Sequence, residues 1–505
     1  MGALAEKYAV LKSRLAEVMD LRHAAAVLYW DQQVCMPKGG ARARGDQLAT
    51  LSSLTHGRFT SPEVGELLTD LAAYERQFPY DSEEASMIRV SRRQYEQRIR
   101  VPTRLVAELT RAGTEGYAAW LAAREADDFR VFCPALERLL GLLREKADAL
   151  GFAHAPLQAF LNDIEPGMAL ADVEALFAEV RSVLVPLVRA IASSGRTVDD
   201  AVLYQPYAAR AQWEVGLDAA KLVGFDLDTR GRQDRSVHPF TIAFSADDVR
   251  ITTRLAPDDV RQGLFASLHE AGHGAYCQGI PASYDRTPLG QGASGGVHES
   301  QSRLWENIVG RSLEFWQSFY PRFRRCFPGQ TDGVPLERFH AAVNRVQPSP
   351  IRVEADEVTY NLHIMVRHEL ERAVYRGDLA VADLADAWDA KYEEYLGIRP
   401  PNHVQGILQD IHWSGHFGAS FVGYTLGNIM SAQLFEAALR DVPDLRERIA
   451  LGDLHPLRCW MNEHVHALGA KLTPAELIER ATGARLSAAA YRTYVTGKFT
   501  DLYGL

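Results

Sequence analysis

The 505-residue sequence has few cysteines, no long apolar run and no excess of basic residues. Its five cysteines are odd in number and widely spaced, and none forms a CxxC pair, which excludes a disulfide framework and a thiolate zinc cage. No stretch of eighteen consecutive apolar residues occurs, so we expect no membrane span. Lys and Arg number 55 against 65 Asp and Glu, and the net charge of −10 disfavours a general nucleic-acid binder.

What is present is an ordinary globular composition, with 24% charged and 47% hydrophobic residues. Charges recur every few residues near the N-terminus, and no apolar segment there is typical of a signal peptide. Together with the sparse cysteines, this pattern favours a cytoplasmic protein in a reducing compartment.

Most of the chain has the spacing of amphipathic helices, with apolar residues every three to four positions. The clearest runs are residues 105–120, 139–150, 176–191 and 362–375. Breakers such as Pro328-Gly interrupt them, but no linker rich in Gly, Ser or Pro divides the chain. We therefore predict a mainly α fold. Residues 1–505 should form one large unit with a cleft, and two helical lobes around a central cleft would fit the same pattern.

The exception is a β-branched and aromatic segment between about residues 235 and 254. Ser236-Val-His-Pro-Phe-Thr-Ile-Ala-Phe and Val249-Arg-Ile-Thr-Thr are separated by the turn-like Ser245-Ala-Asp-Asp248, which predicts a hairpin. A third candidate strand, Ile351-Arg-Val-Glu, follows Pro348-Ser-Pro350. We expect these segments to form one small antiparallel sheet near the middle of the fold.

The most informative segment is His269-Glu270-Ala-Gly-His273, an H-E-x-x-H motif within a helical pattern. Positions i and i+4 project from one face of a helix, so both imidazoles can reach a single ion. Imidazole suits zinc, and a catalytic zinc keeps three protein ligands and a water. Glu270 is then available as the base that takes a proton from the attacking water. The alternative is a chance motif on a structural helix, which the apolar residues before it disfavour.

A third ligand must come from elsewhere in the chain, and Glu299 lies twenty-six residues beyond His273 (299 minus 273). It follows a Gly-rich loop and falls in the predicted first turn of a new helix, where the helix dipole favours a carboxylate. The neighbouring His298 is the rival ligand, but its side chain projects about 100° away on the helix. Glu299 is preferred because two histidines and a glutamate form an established hydrolytic zinc site. The alternative role for Glu299 is an exposed ion pair with Arg303.

A second pair with i, i+4 spacing occurs in His412-Trp-Ser-Gly-His416. No acid follows His412, and Gly415 weakens the helical pattern. We therefore predict that His412 is a hydrogen-bond donor to substrate and that His416 has no functional role.

Six motifs occur in a fixed order along residues 23–505. They are His238-Pro-Phe240, Asp248-Val-Arg250-Ile-Thr252, the segment from His269 to His273, His298-Glu-Ser-Gln301, Ile351-Arg-Val-Glu-Ala-Asp356 and Gly406-Ile-Leu-Gln-Asp-Ile-His-Trp413. As a set they resemble the carboxypeptidase Taq family of metallocarboxypeptidases. Trp30-Asp-Gln and Met36-Pro-Lys-Gly-Gly also resemble that family.

The resemblance implies a cytoplasmic, mainly helical, cleft-bearing carboxypeptidase that uses zinc, with cobalt as a possible substitute. It implies removal of C-terminal residues from peptides with broad preference and poor action on proline, and commonly a homodimer. It carries zinc ligation onto His269, His273 and Glu299, and the base role onto Glu270.

An exopeptidase has to recognise a free α-carboxylate, and the planar fork of Arg does this well. Arg352 is the first candidate; its alternative is a buried pair with Asp356 or Glu354. Arg250 is weaker, because on a strand it shares a face with Asp248 and could simply brace the sheet. His238 precedes a proline and is interpreted as an anchor of the hairpin more than a substrate contact.

Tyr424 and His412 are candidate donors to the developing oxyanion, with core packing as the alternative for each. Gln409 and Asp410 are predicted to orient His412 or a ligand histidine, and Asp356 to support the site indirectly. Relatives commonly carry an F-G-Y-F-P-type stretch here. The sequence from His416 to Tyr424 lacks its extra aromatic hydroxyl and its proline, which leaves the side-chain preference open.

Two rival functions fit parts of this pattern. A metallo-oligopeptidase with the same ion would cut inside short peptides, and cleavage of amidated peptides would distinguish it. A catalytically dead helical scaffold would bind peptides or proteins, which the intact set of His269, Glu270, His273 and Glu299 disfavours.

Overall fold

A computed structural model describes residues 2–505, and most of them are helical. The first eleven α-helices are α1 Ala3–Val34, α2 Ala41–Phe59, α3 Pro62–Asp70, α4 Ala72–Glu75, α5 Glu83–Arg100, α6 Thr103–Ala126, α7 Cys133–Ala149, α8 Pro156–Ile164, α9 Leu170–Ser193, α10 Ala209–Val223 and α11 Val260–Gly279. The remaining ten are α12 Gly295–Arg303, α13 Leu313–Cys326, α14 Leu336–Val343, α15 Tyr360–Arg376, α16 Leu384–Leu396, α17 Val422–Asp441, α18 Leu445–Ala450, α19 His455–His464, α20 Pro474–Thr482 and α21 Ala489–Tyr503. The prediction of a mainly α fold is confirmed.

Three short strands form the sheet, β1 Gly231–Arg235, β2 Thr241–Ser245 and β3 Asp248–Thr253, in the order β1-β3-β2. β2 and β3 form the predicted antiparallel hairpin, although its first strand begins at Thr241 and not at Ser236. β1 pairs with β3 in parallel, so the sheet is mixed. Its sequence, Gly-Arg-Gln-Asp-Arg, lacks the β-branched residues that would have indicated a strand.

The predicted third strand at Ile351 is wrong. Arg352–Glu354 forms a single 3₁₀ turn, in which the amide of Glu354 donates to the carbonyl of Ile351. The two prolines before Ile351 favour extended backbone only for the residues that precede them.

The described chain divides into two compact units. The first comprises the chain up to Ile99, Asp199–Val343 and Leu434–Arg485, and it holds the sheet, α11 and α12. The second comprises Arg100–Val198, Asn344–Gln433 and Leu486–Leu505, and it holds α15. The predicted cleft stays a prediction. Among residues 2–505, no helix combines the length and apolar character that crossing a bilayer requires.

The helix α11 is buried on nearly all sides, packed against α10, α12 and the sheet. Two of its four glycines, Gly272 and Gly274, lower its helix propensity but allow close packing. A Cβ on Gly272 would lie 2.6 Å from the carbonyl oxygen of Gln301 in α12. A Cβ on Gly274 would lie 2.6 Å from the ring of Phe225. The glycines inside and after the H-E-x-x-H motif therefore set the distance between α11 and its neighbours.

Replacing Gly272 with Ala should lower the free energy of unfolding by about 1–3 kcal/mol, because the added methyl group meets backbone atoms that cannot rotate away. Gly141 in α7 is the matched control, since it is exposed and nothing lies within 4 Å of its added Cβ. Gly141→Ala should stabilise by about 0.5–1 kcal/mol. Denaturant unfolding followed by circular dichroism compares the two variants, and equal effects would contradict the proposed close packing.

Candidate metal centre

Two helices bring three metal-ligating side chains together in the first unit. The Nε2 atoms of His269 and His273, both on α11, lie 3.7 and 3.5 Å from Oε2 of Glu299 on α12. The three ligand atoms all lie within 4.8 Å of one another. Tetrahedral bonds of about 2.1 Å place neighbouring ligand atoms about 3.4 Å apart, so this donor set fits a zinc-sized ion.

Glu299 and its rival, His298, point in different directions. Glu299 faces the two imidazoles, whereas Nδ1 of His298 lies 2.7 Å from Nδ1 of His273, on the side of that ring away from Glu299. The helix α12 begins at Gly295, capped by Ser294, so Glu299 lies in its second turn and not in the predicted first turn.

The alternative role for Glu299 was an exposed ion pair with Arg303. The two residues do pair, but the pair is buried. Nε of Arg303 donates to Oε1 of Glu299 at 2.7 Å, and its Nη1 donates to Oε2 of Glu306 at 3.2 Å. Glu299 can therefore hold a cation with one oxygen while the other accepts from Arg303.

Glu306 is a site residue that the sequence reasoning missed. Its Oε2 lies 2.8 Å from Nδ1 of His269, which leaves Nε2 of that ring toward Glu299. Glu306 lies in a π-helical turn, Leu304–Val309, directly after α12. The available signal was its spacing of seven residues from Glu299, which keeps both acids near one helix face.

The electrostatics of the cluster favour a bound cation. Burial would raise the pKa of Glu299, but Arg303 and the two imidazoles hold it well below its usual range. Burial would lower the pKa of His269, but Glu299 and Glu306 raise it to about 9. Two ionised carboxylates therefore face the imidazole, a field that attracts positive charge.

Glu270 is buried beside the first ligand and is held by the sheet. The hydroxyl of Thr241 on β2 donates to Oε2 of Glu270 at 2.6 Å. The same hydroxyl also lies 3.0 Å from the backbone oxygen of Glu270. These contacts fix the orientation of the Glu270 carboxylate. Glu270 is not one of the three residues that could hold the metal ion.

In the second unit, Arg352 is buried and pairs with Asp410. The alternative considered for Arg352 was a pair with Asp356 or Glu354. Nη2 of Arg352 donates to Oδ1 of Asp410 at 2.7 Å, and its Nη1 donates to the hydroxyl of Tyr360 at 3.1 Å. Arg367 donates to Oδ2 of the same carboxylate at 2.5 Å. Two guanidinium groups share one carboxylate, which leaves an excess positive charge.

Of the residues predicted to support the site, Gln409 and Asp356 have other contacts, whereas Asp410 lies near His412. Oε1 of Gln409 accepts from the backbone amide of Arg352 at 2.7 Å, so Gln409 holds Arg352 and not His412. Asp356 accepts from the amides of residues 347, 358 and 359 and so shapes the turn before α15. Asp410 approaches Nδ1 of His412 only to 3.9 Å.

The other predicted residues lie as follows. The ring of His412 packs against Phe421 with a centroid distance of 4.5 Å, and the ring of Tyr424 lies 5.4 Å from the guanidinium carbon of Arg352. Arg250 is paired with Asp248 and stacks on Trp30, a bracing arrangement. His238 is exposed, and its carbonyl accepts from Ser236.

Glu371 on α15 is a second acid that the sequence reasoning missed. It is fully buried and accepts from Nε1 of Trp413 and from the amide of Ala419, each at 2.9 Å. Ala419 has a left-handed backbone, with φ of 60°. Burial raises the pKa of Glu371 to about 7, although these donors oppose the shift. The segment 413–419 therefore folds around one carboxyl group.

The site combines two imidazoles on a largely buried helix, a carboxylate from a second helix and a fixed glutamate. This combination is typical of a metallopeptidase. The sequence profile of the carboxypeptidase Taq (M32) metallopeptidases matches residues 10–499. The chain belongs to this family, as its six motifs predicted.

Relatives match over nearly the whole chain. Thermostable carboxypeptidase 1 of Thermus thermophilus is 43% identical over 498 residues, which are 97% of each protein. Carboxypeptidase 1 of Bacillus subtilis is 34% identical over 489 residues, again 97% of each. The crystal structure of the M32 carboxypeptidase from Deinococcus radiodurans R1 is 42% identical, with a TM-score of 0.95 over 99% of this chain and 100% of that one. The chain is therefore a metallocarboxypeptidase, a hydrolase that acts on peptides.

The pKa of Glu371 predicts a pH dependence of stability. Because the pKa rises from 4.5 to about 7 on folding, the folded chain holds a proton that the unfolded chain releases. This contribution is fully present below about pH 4.5 and is lost as the pH rises through 7. It should amount to about 3 kcal/mol.

Glu371→Gln should flatten the fall in melting temperature between pH 5 and 8, because the amide does not titrate. Glu137→Gln, at an exposed position on α7, is the control and should leave the wild-type slope unchanged. Thermal unfolding at a series of pH values measures both variants, and an unaltered slope in Glu371→Gln would contradict this interpretation.

Proposed function

We propose that the protein is a zinc-dependent carboxypeptidase that hydrolyses the C-terminal peptide bond by water attack, with Glu270 as the general base. The observation that carries this proposal is the donor set of His269, His273 and Glu299 beside a Glu270 carboxylate held by Thr241. Cobalt would serve as a substitute ion, because it accepts the same nitrogen and oxygen ligands.

The two imidazole nitrogens and one oxygen of Glu299 would hold the ion. When bound, zinc polarises a carbonyl and makes a water more acidic. Glu270 accepts a proton from the attacking water as the new carbon–oxygen bond forms. It then donates that proton to the nitrogen of the leaving amine as the peptide bond breaks. The hydroxyl of Thr241 keeps the carboxylate in one orientation for both transfers.

We assign recognition of the substrate carboxylate to Arg352. The support is the excess positive charge of Arg352 and Arg367 around a single Asp410. Arg367 is fully buried and also donates to the carbonyl of His363, so Arg352 is the better candidate of the two. Donation to the developing oxyanion by His412 and Tyr424 stays a prediction.

The remaining properties belong to the same proposal, and membership of the family supports them. They are broad side-chain preference, poor action on proline, a homodimeric state and a cytoplasmic location. All five cysteines are free, which agrees with a reducing compartment.

Glu270→Gln should retain zinc and lose activity by about 10²–10⁴-fold, because the amide cannot accept the proton. Zinc content by elemental analysis and turnover of a C-terminally free peptide measure the two effects. A fully active variant would exclude the base role, and a variant without zinc would show that Glu270 supports the ion instead. Wild-type cleavage that resists chelators would contradict the metal mechanism, and a wild type that cleaves no peptide would support the dead scaffold.

A peptide with an amidated C-terminus should be cleaved at least about tenfold more slowly than the free acid, because it cannot pair with a guanidinium fork. Arg352→Lys, which keeps the charge but loses the fork, should raise KM for the free acid and narrow the difference between the two peptides. Mass spectrometry of the products measures both. Equal cleavage of the two peptides by the wild type would instead favour an oligopeptidase that cuts internally.

A further inference from the structure

The two ligand histidines differ in the partner of Nδ1, the ring nitrogen that does not face Glu299. Nδ1 of His269 contacts the carboxylate of Glu306, whereas Nδ1 of His273 contacts another histidine. Nδ1 of His273 lies 2.7 Å from Nδ1 of His298. The other nitrogen of His298, Nε2, lies 3.6 Å from Sγ of Cys277. Three side chains from α11 and α12 thus form a row that leads away from the ion site.

The positions of these nitrogens determine where the protons lie. Nε2 of His273 faces Glu299, so it is the nitrogen that must be free of a proton to bind an ion. Nδ1 of His273 therefore carries the proton and donates it to His298. Two N–H groups cannot face each other at 2.7 Å, so Nδ1 of His298 is the acceptor. The proton of His298 is then on Nε2, directed at the sulfur of Cys277.

The surroundings of His298 fit its ring closely. The ring lies 4.6 Å from that of His273 and 5.1 Å from that of Tyr276, measured between centroids. A Cβ on Gly292 would lie 2.9 Å from Cδ2 of His298 and 2.9 Å from Cε1 of Tyr276. The glycine leaves room for these two rings, and the packing holds His298 in one orientation.

We propose that His298 is a positioning residue of the metal centre, whose Nδ1 fixes the tautomer and ring orientation of the ligand His273, and that Cys277 fixes His298 in turn. The proposal rests on the assignment of the metal site under the proposed function. It gives the two ligand histidines different outer partners, the carboxylate of Glu306 for His269 and a neutral imidazole for His273. The neutral partner orients its ligand without adding negative charge to the site.

Three variants separate orientation from packing. His298→Leu removes the acceptor but fills much of the space. His298→Asn places an amide oxygen near the position of Nδ1 and so restores an acceptor for His273. His466→Leu is the matched control, because His466 also packs on the ring of Tyr276 and bonds to Gln301 at 2.9 Å, but it is not paired with a ligand histidine.

Zinc affinity is measured on the full-length metal-free protein by competition with a chromophoric chelator, and the melting temperature of each metal-free variant is recorded beside it. His298→Leu should bind Zn²⁺ about 10–100-fold more weakly than the wild type. His298→Asn and His466→Leu should stay within about threefold of the wild type, whatever their melting temperatures.

Wild-type affinity in His298→Leu would overturn the positioning role. Equal weakening in His298→Asn would show that the acceptor atom is not what matters, and equal weakening in His466→Leu would reduce the effect to packing; either result overturns the proposal. A wild-type protein that binds no zinc would instead contradict the proposed function.

Discussion

The close approach of α11 to α12 at Gly272 is the constraint on which the metal centre depends. Backbone atoms of Gln301 and Ser302 lie where a side chain on residue 272 would be. This contact brings Glu299 within 3.5–3.7 Å of two imidazole nitrogens that its own helix does not carry. A helix alone can place two ligands one turn apart, but the third ligand depends on the distance between two backbones. Gly272 therefore sets the geometry of the candidate metal centre without supplying a ligand atom.

Charge compensation explains how so many ionisable groups are buried together. Glu299 and Glu306 would each be costly alone in this environment, and Arg303 bridges both while the imidazole of His269 pairs with Glu306. The second unit has the opposite charge balance, because two buried cations, Arg352 and Arg367, share the one carboxylate of Asp410. The first cluster is suited to a cation, and the second carries the positive charge that attracts an anion.

The features of the fold and site that depend on residues close in sequence could be predicted better than those that depend on packing between distant residues. His269 and His273 were predictable because one helix face sets their geometry, and the hairpin of β2 and β3 because its turn is short. Glu306 was missed although it lies seven residues after Glu299, since its contact with His269 also depends on a π-helical turn that this spacing does not indicate. β1 was missed because its polar sequence is held by β3, not by its own propensity. Gln409 was predicted to orient His412 or a ligand histidine, whereas folding brings it to the backbone amide of Arg352.

The left-handed backbone of Ala419 restricts which mutations this position tolerates. Proline is excluded because the amide of residue 419 donates to Glu371, and β-branched residues are excluded by the positive φ. Asparagine and aspartate accept that φ, but no part of Ala419 is exposed, so either would bury an added polar group. Alanine fits this position because its single methyl group adds no polar atom, and glycine would fit it without the steric cost of a positive φ.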